Sequence, residues 1–256
     1  MGKLIRMDLY RMLKSVTFLV CLLLAFLLAL GSAPFARLML NLAGTLSSEV
    51  GALPDPEVSL SSILIDPFPV VNLMLALISL CWFFHADTEN GYIKNIAGQM
   101  PMKGFTILSK FIAASVHNLV FAAIGIIGNL IGNLLVMKLT MDVNALEVLR
   151  VLVLKLLLVH SISAALLLVV ATFRSKSLGM ILAVLIGLGL TWLIYAGINE
   201  GLRPIFGKGT DISQYMPDNV MTETPLDTVK ALAVALIWGA VFLISAIRIF
   251  DMKDVK

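Results

Sequence analysis

The chain has 256 residues, of which 59% are apolar and only 14% charged, with a net charge of +3 at neutral pH. Soluble globular domains carry about half apolar and about a quarter charged residues, so this balance excludes an ordinary soluble enzyme or a nucleic-acid-binding domain. The apolar residues gather into runs of about 20, the length a helix needs to cross roughly 30 Å of hydrocarbon. Backbone groups in lipid must be satisfied internally, so the expected fold class is all-α, a polytopic membrane protein.

Residues 1–15 form the first element. On a helical wheel Leu4, Ile5, Leu9, Met12 and Leu13 share one side, with Lys3, Arg6, Tyr10 and Lys14 on the other. A basic amphipathic helix of this kind lies in the headgroup plane; the plainer alternative is a positive flank that fixes topology. Asp8 is the misfit, and Arg11 three residues on is its expected partner. The flank could also belong to a signal peptide, but the apolar run behind it reaches Phe35, longer than a usual signal core.

The remainder, residues 16–256, reads as a six-span transmembrane domain. The runs are Val16 to Phe35, Pro69 to His85, Phe111 to Met137, Val151 to Phe173, Ser177 to Ile198 and Val229 to Phe250. The third is the longest and must tilt or project. Cys21, Ala25, Ala29 and Ala33 recur every four positions in the first run. Ser175, Gly179, Ala183, Gly187 and Thr191 do so through the fifth. Small residues at this spacing let membrane helices approach closely. Ala25, Ala29, Ala33, Gly179, Ala183 and Gly187 are therefore candidates for a subunit interface, with packing inside one subunit as the alternative.

The third run has a divided wheel. His117, Asn118, Gly125, Gly128, Asn129, Gly132 and Asn133 occupy one side, where Phe121 is the exception. In the fourth run, Lys155 lies near the end and can snorkel outward. His160 lies about 13 Å inside Val151 at the helical rise, so it must face the bundle. Asn118, Asn129 and His160 are candidates for a translocation path; structural hydrogen bonding between helices is the alternative.

Lys and Arg near the span ends set orientation. With the N-terminus in the cytoplasm, the inner segments carry +7 and the outer segments −4. Both termini are therefore expected inside, in a multi-pass protein of the cell membrane. Cys21 and Cys81 fall inside apolar runs and suggest neither a disulfide nor a metal site. His85, His117 and His160 form no zinc motif, and no catalytic pair is evident. Gly201 to Lys208 has the wrong glycine spacing for a phosphate loop, and Gly209 stands where Ser or Thr is needed.

The longest expected inner loop, Asp87 to Lys110, carries turn signals at Asn90-Gly91 and Pro101. Between them, Tyr92 to Gln99 suits a short amphipathic helix with Ile93, Ile96 and Ala97 on one side. Too short to be stable alone, it would gain order by docking; a solvated loop is the alternative. Here the chain resembles the permease subunits of type-2 ABC exporters, in particular the six-span permeases of Gram-positive bacteria for export of, or immunity to, bacteriocins, lantibiotics and toxic peptides. Glu89, Gly91, Ile93, Lys94, Asn95 and Lys110 match that pattern, and the six-span layout extends it over the whole chain. Lys103 beside Pro101 departs slightly from it.

The resemblance implies a non-catalytic membrane subunit that exports an amphipathic peptide or hydrophobic compound. Its partners would be an ABC ATPase subunit in two copies, which holds the ATP and Mg, and a second permease copy or paralogue. This chain would bind no cofactor. Glu89, Gly91, Ile93, Lys94 and Ile96 would couple to the ATPase, and the first and fifth spans would form the subunit contact. By the same analogy, Asn199 to Thr228 would be partly re-entrant. Two rival classes stand beside this reading: an intramembrane enzyme such as a protease, and a membrane anchor or assembly protein without a transport role.

Overall fold

A computed structural model describes residues 1–46, 57–89, 104–206 and 211–252. Helix α1 spans Gly2–Leu13 and α2 Val16–Leu46. A short strand β1 (Glu57–Ser59) leads into α3 (Leu60–Ile65) and α4 (Val70–Glu89). Helix α5 (Gly104–Val136) is followed by β2 (Lys138–Thr140), α6 (Ala145–Phe173), α7 (Lys176–Gly187) and α8 (Trp192–Phe206). A 3₁₀ turn at Ser213–Tyr215 precedes α9 (Pro217–Thr222) and α10 (Thr228–Met252). The chain is an all-α membrane protein apart from the parallel pair β1–β2, in which Val58 is opposite Leu139.

Among the described residues, four helices are long and apolar enough to cross a membrane: α2 over Val16–Leu42, α5, α6 and α10. Helix α4 contributes a shorter apolar stretch, Val71–Ala86. The run expected as one continuous fifth span is bent by 97° between α7 and α8. Local hydrogen bonds explain the break. Gly189 has φ +69°, its N–H donates to Ile186 O at 3.0 Å, and Leu190 N–H donates to Leu185 O at 2.8 Å. This is a Schellman termination with glycine in the left-handed position after the helix. The chain therefore turns at residues 188–191, ahead of the Asn199 to Thr228 segment expected to re-enter.

Beyond the break, side chains hold the segment after α7 together. Asp218 of α9 is buried and accepts from Thr191 Oγ1 at 2.5 Å and from Tyr195 OH at 2.6 Å. Asp211 accepts from Ser213 and from Asn199 Nδ2. These bonds, the Ser213 hydroxyl foremost, hold its carboxyl below the usual carboxylate range.

The small-residue rows are seated inside the chain. Ala25, Ala29, Ala33 and Ala183 are buried. A Cβ on Gly128 of α5 would lie 2.7 Å from Ala29 Cβ, and one on Gly132 would lie 2.4 Å from Leu30 O. On the other side of the bundle, a Cβ on Gly187 would lie 2.4 Å from Met74 Cβ, and one on Gly179 would lie 3.1 Å from Cys81 Sγ. The rows let α2 close on α5 and α7 close on α4. A contact between copies through the six interface candidates would need these helices to part.

Helix α1 packs on the start of α5. Its buried residues are Leu4, Asp8 and Met12, a stripe of one residue per turn. Asp8, expected as the misfit of the apolar face, points inward and accepts from Ser109 Oγ at 2.5 Å. The same end of the bundle ties α5 to two other helices. Lys110 is buried and donates to Phe83 O at 3.1 Å, and Gly104 N–H at the start of α5 donates to Asp251 Oδ1 of α10 at 2.7 Å.

Candidate functional site

Helix α5 carries the polar groups into the middle of the bundle. Asn118 lies about 21 Å along it from Gly104 at the helical rise, and His160 lies at a similar depth on α6. Asn118 is buried and donates through Nδ2 to Ser163 Oγ at 3.0 Å. Ser163 in turn donates to Val159 O, one turn earlier on α6. One turn below Asn118, Ser115 Oγ and His160 Nε2 share a hydrogen bond of 3.2 Å. The His160 ring packs on Phe111 with centroids 3.9 Å apart.

The seam is only partly satisfied. Asn118 Oδ1, His160 Nδ1 and Ser161 Oγ are buried and have no hydrogen-bond partner among the described residues. Buried polar atoms are ordinarily paired, because an unpaired one costs about 1–3 kcal/mol. Two clefts flank the seam. One, of about 220 Å³, is lined by Ser115, Asn118, Leu156, Leu157 and His160 between α5 and α6. The other, of about 230 Å³, is lined by His160, Ser161, Leu157 and Gly239 between α6 and α10. His160 and Leu157 line both. The three unpaired atoms, an amide oxygen, a hydroxyl and an imidazole nitrogen, lie buried beside these largely apolar clefts.

Of the expected path residues, Asn118 and His160 come together and Asn129 does not. Asn129 lies three turns further along α5, where it accepts from Ser32 Oγ of α2 at 3.0 Å. His117, on the same polar side, serves packing. Its Nε2 is hydrogen-bonded to Ser79 Oγ of α4 at 3.1 Å, and its ring stacks on Phe121 at 4.5 Å. Phe121, the exception on the polar wheel, is fully buried there. Lys155 reaches Asp66 at 3.2 Å, as a snorkelling side chain does.

The sequence reading passed over Ser115, Ser161 and Ser163. Their signal was available: Ser161 and Ser163 flank Ile162 just after the only histidine of α6, and Ser115 lies one helical turn before Asn118. Of the coupling candidates, Gly91, Ile93, Lys94 and Ile96 lie outside the described residues, as does the helix expected over Tyr92 to Gln99. Glu89 ends α4. Among the described residues, no group of three or more His, Cys, Asp or Glu could hold a metal ion. No protein-family model matches the chain, and no curated protein matches it.

Proposed function

We propose that this chain is the membrane subunit of an ATP-driven exporter that moves an amphipathic peptide or other hydrophobic compound outward through the bundle. The observation that carries this reading is the seam of Asn118, His160 and Ser161. It places unpaired polar atoms deep among apolar helices, beside two clefts that share His160. Polar groups at such depth are costly unless they meet protein, water or a passing ligand. An amphipathic substrate suits them, with apolar groups for the lining and amides for the seam.

In this reading α2, α4, α5, α6, the bent α7–α8 pair and α10 are the six spans, and α1 lies at the inner headgroup plane. Both termini are cytoplasmic, in line with the +7 to −4 charge asymmetry. A separate ATPase subunit, in two copies, binds ATP and Mg and docks on the segment after α4 through Glu89, Gly91, Ile93, Lys94 and Ile96. A second copy of the permease or a paralogue completes the assembly. Helix α5 suits the role of lever. It starts at the end of that segment, is fastened there by the Asp251 and Asp8 contacts, and carries Ser115 and Asn118 to the seam.

The test is a cysteine at Leu157, which lines both clefts, in a chain lacking Cys21 and Cys81. A membrane-permeant thiol reagent should label it, and a cationic amphipathic peptide should slow the labelling. Labelling unaffected by saturating peptide, or by any hydrophobic compound shown to be exported, would contradict the assignment of the seam to the path.

A further inference from the structure

Helix α8 is turned 97° from α7, and contacts with α4 fix the level at which that turn occurs. A Cβ on Gly179 would lie 3.1 Å from Cys81 Sγ, and one on Gly187 would lie 2.4 Å from Met74 Cβ. Helix α7 therefore runs antiparallel to α4 and ends level with Met74. Met74 is the fifth residue of α4, about 6 Å from its start at the helical rise. Asp66, four residues before that start, is exposed and pairs with Lys155, which marks the level of water. The turn at residues 188–191 thus lies at the membrane boundary. A helix nearly at right angles to α7 runs along that boundary and does not cross it, so α7 is the crossing part of the bent pair.

The side chains of α8 divide around its axis in the order such a position requires. Tyr195, Asn199 and Leu202 form a half-buried stripe. Tyr195 donates to Asp218, and Asn199 donates to Asp211 and accepts from Ile212 N–H, which fixes the roll of the helix. On one flank of the stripe Ile194 and Ile198 are exposed. On the other, Glu200 and Arg203 are exposed and paired to each other at 2.8 Å. Ile198 and Glu200 are about 160° apart on the wheel. Leu193 is the exception on the polar flank, and Trp192, exposed in the first turn, is a residue type favoured where membrane meets water. A helix lying in the interface needs one flank for acyl chains and one for water. Because Glu200 and Arg203 neutralise each other, the contact calls for acyl chains and makes no demand for an anionic headgroup.

We infer that α8 is an interfacial helix, which beds Ile194 and Ile198 in the acyl chains of the bilayer and holds Glu200 and Arg203 in water. The segment after α7 is then anchored to lipid through α8 as well as internally through Asp218. The inference rests on the membrane fold and not on the transport reading.

Nitroxide labels test it, placed on single cysteines at Ile194, Ile198 and Glu200 in the full chain lacking Cys21 and Cys81. The chain is held in nanodiscs of palmitoyl-oleoyl-phosphatidylcholine, and power saturation compares oxygen with a nickel chelate. Labels at Ile194 and Ile198 should favour oxygen and report equal depth, while the Glu200 label should favour the chelate. The same pattern should persist when phosphatidylglycerol replaces part of the lipid. A crossing helix would set Ile194 and Ile198 about 6 Å apart in depth and shield Glu200 from the chelate, and that result would overturn the inference. So would ready chelate access at all three positions, which would put α8 in water. Shielding of Ile194 and Ile198 from both reagents would overturn it too, because protein, such as a second copy, would then cover the apolar flank. An oxygen preference that appears only with phosphatidylglycerol would contradict the acyl-chain contact.

Discussion

Asn118 on α5 and Ser163 on α6 are joined by a 3.0 Å hydrogen bond at the centre of the bundle, and the second polar atom of Asn118 is buried with no hydrogen-bond partner among the described residues. A purely structural pair would use its groups on each other, and removing both together would then be close to neutral. The double substitution Asn118→Leu with Ser163→Ala should therefore leave unfolding within about 1 kcal/mol of wild type. Peptide export should fall at least about tenfold, equivalent to losing about 1.4 kcal/mol of interaction with the moving substrate. Thermal unfolding and vesicle uptake, measured on the same preparations, check both halves.

Ala29 makes the second case. It is buried against α5 where Gly128 approaches, so added bulk acts within one chain. Ala29→Leu should destabilise the monomer by about 1–3 kcal/mol, the usual cost of overpacking a closed site. Gly187→Ala, set against Met74, should behave alike. Gly31→Ala should be neutral in stability. Scanning unfolding at protein concentrations a hundredfold apart would separate this from an interface effect. A concentration-dependent loss in Ala29→Leu alone would instead show an interface role.

Topology gives a third expectation. Asp142 and Asp211 are exposed at the loops that follow α5 and α8, and Met252 is exposed at the end of α10. In a chain lacking Cys21 and Cys81, cysteines at Asp142 and Asp211 should react with an impermeant thiol reagent in intact cells. A cysteine at Met252 should react only after permeabilisation. The reverse pattern would invert the charge-based orientation.

Much of this architecture was legible in the sequence because the bilayer imposes a coarse rule. Long apolar runs must become helices, and α2, α5, α6 and α10 follow from that alone. The bend at Gly189 was not read, because Gly187 was counted in a four-residue packing row. Gly189, two positions on, carried the stop signal. The Ser109 partner of Asp8 was illegible for a related reason. A carboxylate on an apolar helix face looks like an error until a hydroxyl such as Ser109 arrives from 101 positions away. At the candidate site, Asn118 and His160 stood out as amide and imidazole in apolar runs. The serines that partner them did not, since a lone hydroxyl in a membrane helix can bond its own backbone, as Ser163 does with Val159.

The segment after α4 carries the fourth expectation. Ile93 offers an apolar anchor to a partner, and burying an isoleucine contributes about 1.5–3 kcal/mol. A charged contact made through Lys94 would contribute less than about 1 kcal/mol if it stayed solvated. Ile93→Asp should therefore reduce capture of the ATPase subunit at least tenfold, whereas Lys94→Ala should reduce it only a few-fold, in pull-downs from matched membranes.

The central claim is ATP-driven movement of an amphipathic compound by this chain with a separate ATPase. Inside-out vesicles holding both subunits measure it directly, by accumulation of a labelled cationic amphipathic peptide. The account predicts that uptake needs ATP hydrolysis, needs both subunits, and falls at least tenfold with Ile93→Asp or with the Asn118→Leu and Ser163→Ala pair. A chain that recruits no ATPase, or vesicles whose uptake of peptides and other hydrophobic compounds is the same with and without the chain, would contradict it.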